Sequence, residues 1–382
     1  MVYKATIVIL FMSFILTGCW SKYELTERAF VMGVALDLRE DGRIEMLTQM
    51  YRPTSSEIGK STATISESSV NIKTADDTVM EAIRDIPIHL GRLGQWSHMR
   101  VIIVGEKLAR SMNLLEGLDF FYRDHEPRAS VSIMISKGKA AKLFEKSPLI
   151  EQTTAQQLLR SEVASYMNAA KTVDTSLLDL VRDMKSAHPD TAIAYVYEDT
   201  RTSHMFSAAG MALIKDGRMT GVLPSSRVEG YLMLTQKYQS GAIEIRCPGR
   251  NRAEESVEVL TLDTNVKPHI QGEQIEVKVK IDAEISINEL KCTKIASKED
   301  ERAFNRKVEK EISRQVKEAI QTLQEQKIDA IGIGKWIYRH HPKEWERLKP
   351  NWDERFAAIP FKIETKMKLV TNGTITSKKL SK

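Results

Sequence analysis

The residue with the clearest chemical role in the sequence is Cys19, because its thiol stands where an enzyme could modify it. One basic residue, Lys4, precedes an apolar run over residues 5–15, and the segment Leu16–Gly18 follows that run. A charged start, a short apolar segment and small residues at the cut are typical of a secretory signal peptide. The run is shorter than the roughly 20 apolar residues that cross a bilayer. We therefore expect export, with cleavage directly before Cys19.

The segment Leu16–Cys19 resembles a bacterial lipobox. In proteins with this motif the cysteine thiol receives a diacylglyceryl group, and the cysteine becomes the first residue after cleavage and gains an N-acyl chain. The small residue Gly18 lets the peptidase reach the bond that precedes Cys19. Two acyl chains anchor a protein stably, since each buried CH₂ adds about 0.8 kcal/mol. The alternative is a cleaved export signal that happens to precede a cysteine. Apart from this covalent lipid, we expect no cofactor.

The two remaining cysteines, Cys247 and Cys292, form an even pair in a protein expected to be exported. A disulfide between them is chemically allowed in that compartment. Two independent thiols are the alternative, and we favour it slightly because one pair in a large domain is not a disulfide framework. We expect no metal site, since the sequence has no cysteine–histidine cluster with metal spacing, and His340 and His341 point in different directions on a helix.

No set of residues in the sequence predicts catalysis. The sequence contains no phosphate-binding loop, no nucleophile elbow and no dinucleotide fingerprint. The glycines of Gly332-Ile333-Gly334 are better explained as a turn between helices. The pair Ser225-Ser226 has no evident base partner and is better explained as a helix cap. We therefore expect a protein that is not an enzyme.

Two clusters of aromatic and basic residues are the strongest candidates for a binding surface. They contain four of the five tryptophans. The candidate interface residues are Trp96, His98 and Arg100 in the first cluster and Trp336, Trp345 and Trp352 in the second. Tryptophan and arginine are enriched at the centres of protein interfaces, so these clusters predict a partner site. The alternative is that the rings fill gaps between helix and sheet and that His98 caps a strand end.

The order of apolar segments predicts an α+β fold of three mixed α/β domains, each a largely antiparallel sheet with flanking helices, behind the lipoprotein signal peptide. The predicted divisions are a signal peptide at 1–18, an N-terminal domain at 19–147, a middle domain at 148–250 and a C-terminal domain at 251–378. In the N-terminal domain the continuous apolar run Val101–Gly105 is typical of a strand buried on both faces.

The C-terminal domain has the clearest pattern. Residues 275–287 alternate between apolar and polar side chains, which predicts a long antiparallel strand with one wet face. Residues 361–369 repeat the alternation. Between them, residues 298–324 carry one apolar stripe at helical spacing, and Ser297 with acidic residues after it predicts the helix start. A helix with one dry stripe on such a sheet predicts a two-layer domain.

The composition is that of a folded globular protein, with 382 residues, 42% hydrophobic and 28% charged. The formal net charge of +5 is too weak and too dispersed to indicate a nucleic-acid partner. After the first apolar run, no second run is long enough to span a membrane.

The sequence as a whole resembles a known family, the Ger(x)C lipoproteins, which are the C subunits of spore germinant receptors in endospore-forming bacteria. The resemblance begins with Gly18-Cys19-Trp20 and runs to Trp352-Asp353 near the end. Between these lie Glu24-Leu25, Gly33–Asp37, Trp96-Ser97-His98 before Val101–Glu106, Gly210–Leu213, Gly221–Leu223, Asp329–Gly334, Pro342 and Trp345. One departure is Ser21, where many members carry Asp.

The resemblance implies three α/β domains and no catalytic activity. It also implies a complex with a membrane-embedded A subunit and a multi-span B subunit, on the outer face of the cytoplasmic (spore inner) membrane. Such a complex answers small nutrients, and the resemblance leaves open whether this chain touches them. The alternative function is a substrate-binding lipoprotein of an importer, which predicts a ligand cleft between two similar doubly wound lobes.

Overall fold

The computed structural model describes residues 3, 27–52, 68–199, 205–248 and 253–371. These residues form two β-sheets flanked by helices, so the predicted mixed α/β fold is confirmed. The signal peptide, with Gly18 and Cys19, lies outside the described residues. None of the helices in the described ranges has the length and apolar character that crossing a membrane requires.

The first sheet has nine strands and spans both the predicted N-terminal and middle domains. Its strands are β1 Arg28–Leu38, β2 Ile44–Tyr51, β3 Ser69–Asp76, β4 Leu93–Gln95, β5 Val101–Gly105, β6 Ser132–Ser136, β7 Thr191–Asp199, β8 Met205–Lys215 and β9 Arg218–Leu223. The order across the sheet is β3-β2-β1-β5-β6-β7-β8-β9, with β4 beside β1. The centre of the sheet is parallel, from β1 through β5 and β6 to β7, and both flanks are antiparallel.

Both faces of this sheet are covered by helices. They are α1 Val79–Leu90, α2 Glu106–Ser111, α3 Leu114–Arg123, α4 Ala141–Phe144, α5 Thr154–Ala169 and α6 Leu177–Met184. Ile102 and Val104 of β5 pack in a cluster with α1, α2, α3 and α6, whereas Val101 and Ile103 pack in a second cluster with α4 and α5. The predicted burial of β5 on both faces is therefore confirmed.

One sheet continues across residues 147 and 148, where the sequence predicts a boundary between two domains. Strand β6 lies before that predicted division and β7 after it, yet Met134 pairs with Ala194 in a parallel ladder. Parallel neighbours need a long crossover connection, which is usually helical. Helices α4 to α6 form this crossover, and a sequence pattern of successive helices does not distinguish a crossover from the start of a new domain. Because this crossover joins parallel neighbours, the centre of the sheet is parallel. The largely antiparallel sheet that the sequence predicts for these residues is therefore found only at the two flanks.

The second sheet contains the long alternating strands that the sequence predicts. Its strands are β10 Ala242–Arg246, β11 Glu254–Gln271, β12 Gln274–Glu289 and β13 Phe361–Thr371, in that order. Strand β12 is antiparallel to β11 and parallel to β13. Helix α8 Lys298–Glu325 covers this sheet, starts at the Ser297 cap and buries the predicted stripe, which confirms the two-layer arrangement.

Short helices connect the elements around the second sheet. They are α7 Ser225–Leu234, which precedes it, and α9 Ile333–His340, α10 Pro342–Leu348 and α11 Trp352–Ala358, which lie between α8 and β13. The expected cap by Ser225 or Ser226 is wrong. Pro224 occupies the capping position without a side-chain bond, and the two serines form the first turn of α7.

The two sheets share one apolar core. Met211 and Leu213 of β8 belong to the same buried cluster as Val228 of α7 and Val316 of α8. Helices α7 and α8 approach so closely at Gly230 that an added Cβ would lie 2.3 Å from the Gln315 carbonyl oxygen. Because glycine has no Cβ, the backbones of α7 and α8 can pack against each other here.

Cys247 and Cys292 form a disulfide with their Cα atoms 5.9 Å apart. The slight preference for two independent thiols is therefore wrong. Cys247 follows β10 and Cys292 follows β12, so the strands on either side of β11 bring together residues that are 45 positions apart. The Glu255 carboxylate on β11 also accepts the N–H groups of Cys292 and Thr293, which holds this chain segment in place.

Candidate functional site at the junction of the two sheets

The junction is organised by the carboxylate of Asp329, which lies just before α9 and is fully buried. It accepts the backbone N–H groups of Gly332, Ile333 and Gly334 at 2.9, 2.9 and 2.6 Å. The first N–H groups of a helix have no partner within the helix, and a carboxylate there satisfies them and complements the helix dipole. The indole N–H of Trp352 donates to the same carboxylate at 3.1 Å. Asp329 thus joins the start of α9 to the start of α11.

The loop that precedes β7 supplies a second carboxylate to this junction. Asp190 accepts the backbone N–H of Asp329 at 2.8 Å. Its carboxylate also forms an ion pair with His188, whose Nε2 lies 3.0 Å away. No residue in the described ranges forms a regular hydrogen bond with this Nε2, so the contact with Asp190 is electrostatic. The His188 ring packs edge-on against Trp345 and Trp352, at centroid distances of 6.1 and 6.3 Å.

Two lysines complete the charged contacts between the sheets. Lys335 of α9 donates to Asp183 of α6 at 3.2 Å and to the Asp190 carbonyl at 3.1 Å. Lys215 at the end of β8 forms an ion pair with Asp353 of α11. Every one of these contacts joins a residue of the nine-stranded side to a residue of the four-stranded side. We call this set of charged contacts, together with Asp329 and His188, the junction network.

Burial shifts the pKa values of this network. Desolvation raises the pKa of Asp329 to about 6, although the N–H groups of Gly334 and Ile333 and the charge of His188 oppose the change. Burial, the largest single effect, lowers the pKa of His188, but the carboxylates of Asp190, Asp329 and Asp353 together raise it overall. The raised pKa favours the protonated ring, whose charge balances that of Asp190, and such a balance is the condition for burying a charged pair.

Two groups of side chains in the described residues have the spacing of metal ligands. Cys247, Glu255 and Cys292 form one, but both sulfurs are in the disulfide and neither is a thiolate. His188, Asp190 and Asp353 form the other, with ligand atoms within 4.8 Å of one another. Lys215 already pairs with Asp353, and the His188 ring lies against Asp190, so these contacts favour a structural network over a cation.

A cleft of about 730 Å³ opens beside the junction network. Its walls come from α6, from the end of α7, from β11 and from α9. The volume lies within the roughly 300–1,000 Å³ of typical ligand pockets. We call this space the junction cleft.

The junction cleft is strongly positive. Its lining includes five basic residues, Arg182, Lys237, Lys267, Lys335 and Arg339, and one acidic residue, Asp183. Two other large clefts contain basic and acidic residues in near balance. A cleft of about 900 Å³ has five basic and four acidic residues, and one of about 690 Å³ has two basic and three acidic residues. The charge of the junction cleft is therefore not a general property of the surface.

The second predicted aromatic cluster divides between the core and the junction cleft. Trp345 and Trp352 are buried, and their rings meet at 5.1 Å. Gly334 lies against both rings, and an added Cβ would be 2.9 Å from Trp345. The prediction that Trp345 and Trp352 contact a partner is corrected here, because both rings are enclosed by the chain itself. Trp336 is half-buried, lines the cleft and stacks on His340 at 4.2 Å.

The first predicted cluster also divides. Trp96 is buried against Phe120 and Phe121. The prediction that it contacts a partner is therefore corrected as well. His98 and Arg100 are exposed, and the His98 ring lies edge-on to Phe30 just before β5. The packing explanation therefore holds for three of the four tryptophans, and His98, Arg100 and Trp336 remain candidate contacts.

The sequence analysis did not identify His188, Asp190, Lys335 or the cleft lysines. Asp190 stands directly before a strand and Lys335 inside a short helix, and such residues are common on surfaces. Asp329 was recognised only as part of the family signature Asp329–Gly334. The structure explains that signature as one unit, in which the carboxylate binds the turn at the glycines and the indole of Trp352.

Comparison with known proteins finds a family match for each half of the chain. Residues 21–197 match the family described as spore germination protein N-terminal domain. Residues 209–373 match the family described as spore germination B3/GerAC like, C-terminal. The two matches follow each other in the order found here and together span both sheets.

Similar proteins are known in Bacillus subtilis (strain 168). Spore germination protein B3 is 26% identical over 379 residues, which cover 96% of this chain and 97% of the relative. Spore germination protein KC is 25% identical, over 92% of this chain and 91% of the relative. The crystal structure of the GerBC protein has the same fold, with a TM-score of 0.56 and 22% identity over 92% of this chain and all of the solved chain. From these matches, the chain belongs to the family of germinant receptor C subunits.

Proposed function

We propose that this chain is a lipid-anchored, non-enzymatic subunit of a germinant receptor complex, needed for the germination response to small nutrients. The observation that carries the proposal is the match of two consecutive family descriptions over residues 21–197 and 209–373. Because the match includes both sheets and the junction between them, it applies to the whole folded chain. The names of the relatives describe spore germination proteins and support this role.

The contacts of two buried acids, Asp329 and Glu255, support a non-enzymatic role. The Asp329 carboxylate is used to cap α9 and to bind Trp352. The Glu255 carboxylate is used in the same manner, since Cys292 and Thr293 donate to it. These acids are engaged by hydrogen bonds that hold backbone segments, whereas a general acid or base needs an oxygen that faces its substrate.

The expected lipid on Cys19 supports a specific mechanism of assembly. An anchor restricts diffusion to the membrane plane and raises the effective concentration of the chain near membrane-bound partners. The folded part then docks on the A and B subunits at the outer face of the cytoplasmic (spore inner) membrane. Residues His98, Arg100 and Trp336 are the surface members of the predicted interface and are proposed contacts.

The importer alternative receives less support. A substrate-binding lipoprotein of that kind is expected to have two similar doubly wound lobes. The two sheets here have nine and four strands, and the second is largely antiparallel. The junction cleft lies between unlike units.

The proposal is tested by deleting the gene and following germination of the spores with single nutrients. We expect loss of the response to one nutrient class, and recovery with the wild-type gene. Complementation with Cys19→Ala tests the anchor. Ser21→Ala, two positions further along the chain, is its matched control. We expect Cys19→Ala to fail and Ser21→Ala to restore germination.

An unchanged response to every nutrient in the deletion strain would contradict the proposed role, provided that strains lacking the related C subunits as well also respond. Full recovery with Cys19→Ala would contradict the anchored mechanism alone.

A further inference from the structure

The junction cleft has an excess of positive charge that the fold does not use. Lys335 is engaged by Asp183 and the Asp190 carbonyl, and Arg182 forms an ion pair with Asp179. Lys267 and Arg339 form no ion pair with any residue in the described ranges, and Lys237 forms no direct pair there, although its charge also favours ionised Asp174 and Asp179. Like charges around one concavity repel one another, and an external anion would relieve that repulsion.

We propose that the junction cleft binds an acidic segment of a protein partner through Lys237, Lys267 and Arg339. This inference rests on the proposed function, in that the segment belongs to a protein of the receptor complex. Charge complementarity of this kind raises the association rate and excludes partners without the matching charge.

The placement of the three cations fits an extended segment better than a single ion. Lys237 follows α7, Lys267 lies on β11 and Arg339 lies near the end of α9. The cations therefore come from three separate walls of a cleft of about 730 Å³. A chain that crosses the cleft can place successive carboxylates against successive walls, whereas one small anion can contact only part of the set.

Trp336 adds an apolar surface to the same cleft. Its ring is stacked on His340, whose Nδ1 lies 2.9 Å from the Trp336 carbonyl oxygen. The stacking fixes the ring in one orientation before a partner arrives. Fixed tryptophan side chains contribute strongly to protein interfaces, so the partner segment is expected to carry an apolar residue beside its acids.

The concave shape argues for a protruding segment and against a membrane surface. A bilayer is flat on the scale of a protein and attracts charges that lie on an outer face. Lys237, one of the three proposed cations, is half-buried in the lining of the junction cleft, where a flat surface would not reach it. A peptide chain can enter the cleft and contact these walls.

The test measures binding of a short fluorescein-labelled peptide of alternating glutamate and tyrosine residues to the purified, folded mature chain. The same peptide with glutamine for glutamate is the reference. The cleft variant combines Lys237→Gln, Lys267→Gln and Arg339→Gln. The control variant combines Lys278→Gln, Lys310→Gln and Arg246→Gln, which remove the same charges from exposed positions at the other two clefts.

We expect the acidic peptide to bind more tightly than the glutamine peptide, and to weaken as salt rises. The cleft variant should lower its affinity by about tenfold or more, which corresponds to about 1.4 kcal/mol per factor of ten. The control variant should bind like the wild type. Equal binding of the two peptides, or equal losses in the two variants, would overturn the proposal. So would binding of phosphatidylglycerol vesicles that needs the three cations, if the acidic peptide does not bind.

Complementation separates this inference from the proposed function. If the deletion strain germinates normally, and strains that also lack the related C subunits do so too, the proposed function fails whatever the peptide does. If the deletion abolishes germination and the cleft variant restores it fully, the proposed function stands and the inference about the cleft fails.

Discussion

The carboxylate of Asp190 accepts the backbone N–H of Asp329 across 2.8 Å, and both residues are buried. Asp190 stands before β7 of the nine-stranded sheet, and Asp329 stands before α9 beside the four-stranded sheet. The Asp329 carboxylate in turn accepts N–H groups of the turn Gly332–Gly334 and the indole N–H of Trp352. One chain of hydrogen bonds thus connects the two sheets and positions the helix that carries Trp336 and Arg339.

Asp329→Asn should destabilise the protein by about 2 kcal/mol or more, because an amide turns one acceptor into a donor that faces existing N–H donors. The measurement is the free energy of unfolding in urea. Asp282→Asn, at an exposed position on β12, is the control and should change it by less than about 0.5 kcal/mol. Equal effects of the two substitutions would contradict the assigned role of Asp329.

Trp352→Phe should cost more stability than Trp345→Phe. Both substitutions shrink a buried ring, but only the first removes the N–H that binds Asp329 at 3.1 Å. A lost hydrogen bond to a buried charged group corresponds to about 1.5–3 kcal/mol. Urea unfolding of the two variants measures the difference. A larger loss for Trp345→Phe would show that ring volume, and not the bond to Asp329, decides the stability of this region.

Gly230→Ala should destabilise the contact between α7 and α8 by about 1–3 kcal/mol, as overpacking usually does. The added Cβ would lie 2.3 Å from a backbone oxygen, which moves only if a helix moves. Gly117→Ala in α3 is the matched control, since its Cβ would meet only the Met112 sulfur at 3.5 Å. Alanine is the better helix former, so the control should be neutral or stabilising. A stable Gly230→Ala protein would contradict this close packing.

The stability of the fold should fall as pH rises above neutrality. The Asp190 carboxylate, against the effect of burial, raises the pKa of His188 above its ordinary 6.5. Such a histidine stabilises the fold below pH 6.5 and loses that contribution as pH rises through its folded-state pKa. Asp329, with a pKa raised to about 6 by burial, acts in the same direction between pH 3.8 and about 6.

The free energy of unfolding should therefore decrease as pH rises from about 6.5 through the folded-state pKa of His188, by about 1.4 kcal/mol for each unit of pKa difference. His188→Gln should make this slope shallower, whereas His98→Gln at an exposed position should keep it. Glu229, whose pKa burial raises to about 7, contributes the rest of the slope. If the slope were the same in all three proteins, His188 would not be its source.

Replacing Cys247 and Cys292 together by alanine should lower the free energy of unfolding by about 2–4 kcal/mol. The disulfide closes a loop of 45 residues and restricts the unfolded chain. Under reducing conditions the wild type should match the double variant. A reduced wild type as stable as the oxidised one would show that the hydrogen bonds of Glu255 already hold this segment.

The local patterns of the sequence were sufficient for several elements. Strand β12, helix α8 and the buried strand β5 follow from alternation, from a helical apolar stripe and from a continuous apolar run, because each pattern depends only on neighbouring residues. The family was likewise recognisable from short motifs in a fixed order. The lipid anchor at Cys19 depends on sequence alone and stays a prediction.

The tertiary structure decided what depends on residues far apart in the chain. Pairing of β6 with β7 joined two predicted domains into one sheet, since local patterns carry no information about which strands become neighbours. The disulfide forms because β10 and β12, which lie on either side of β11, end close to each other. Burial of Trp96, Trp345 and Trp352 required surrounding helices from distant positions. The junction cleft exists only because α6, α7, β11 and α9 meet, and no single segment of the sequence contains its charges.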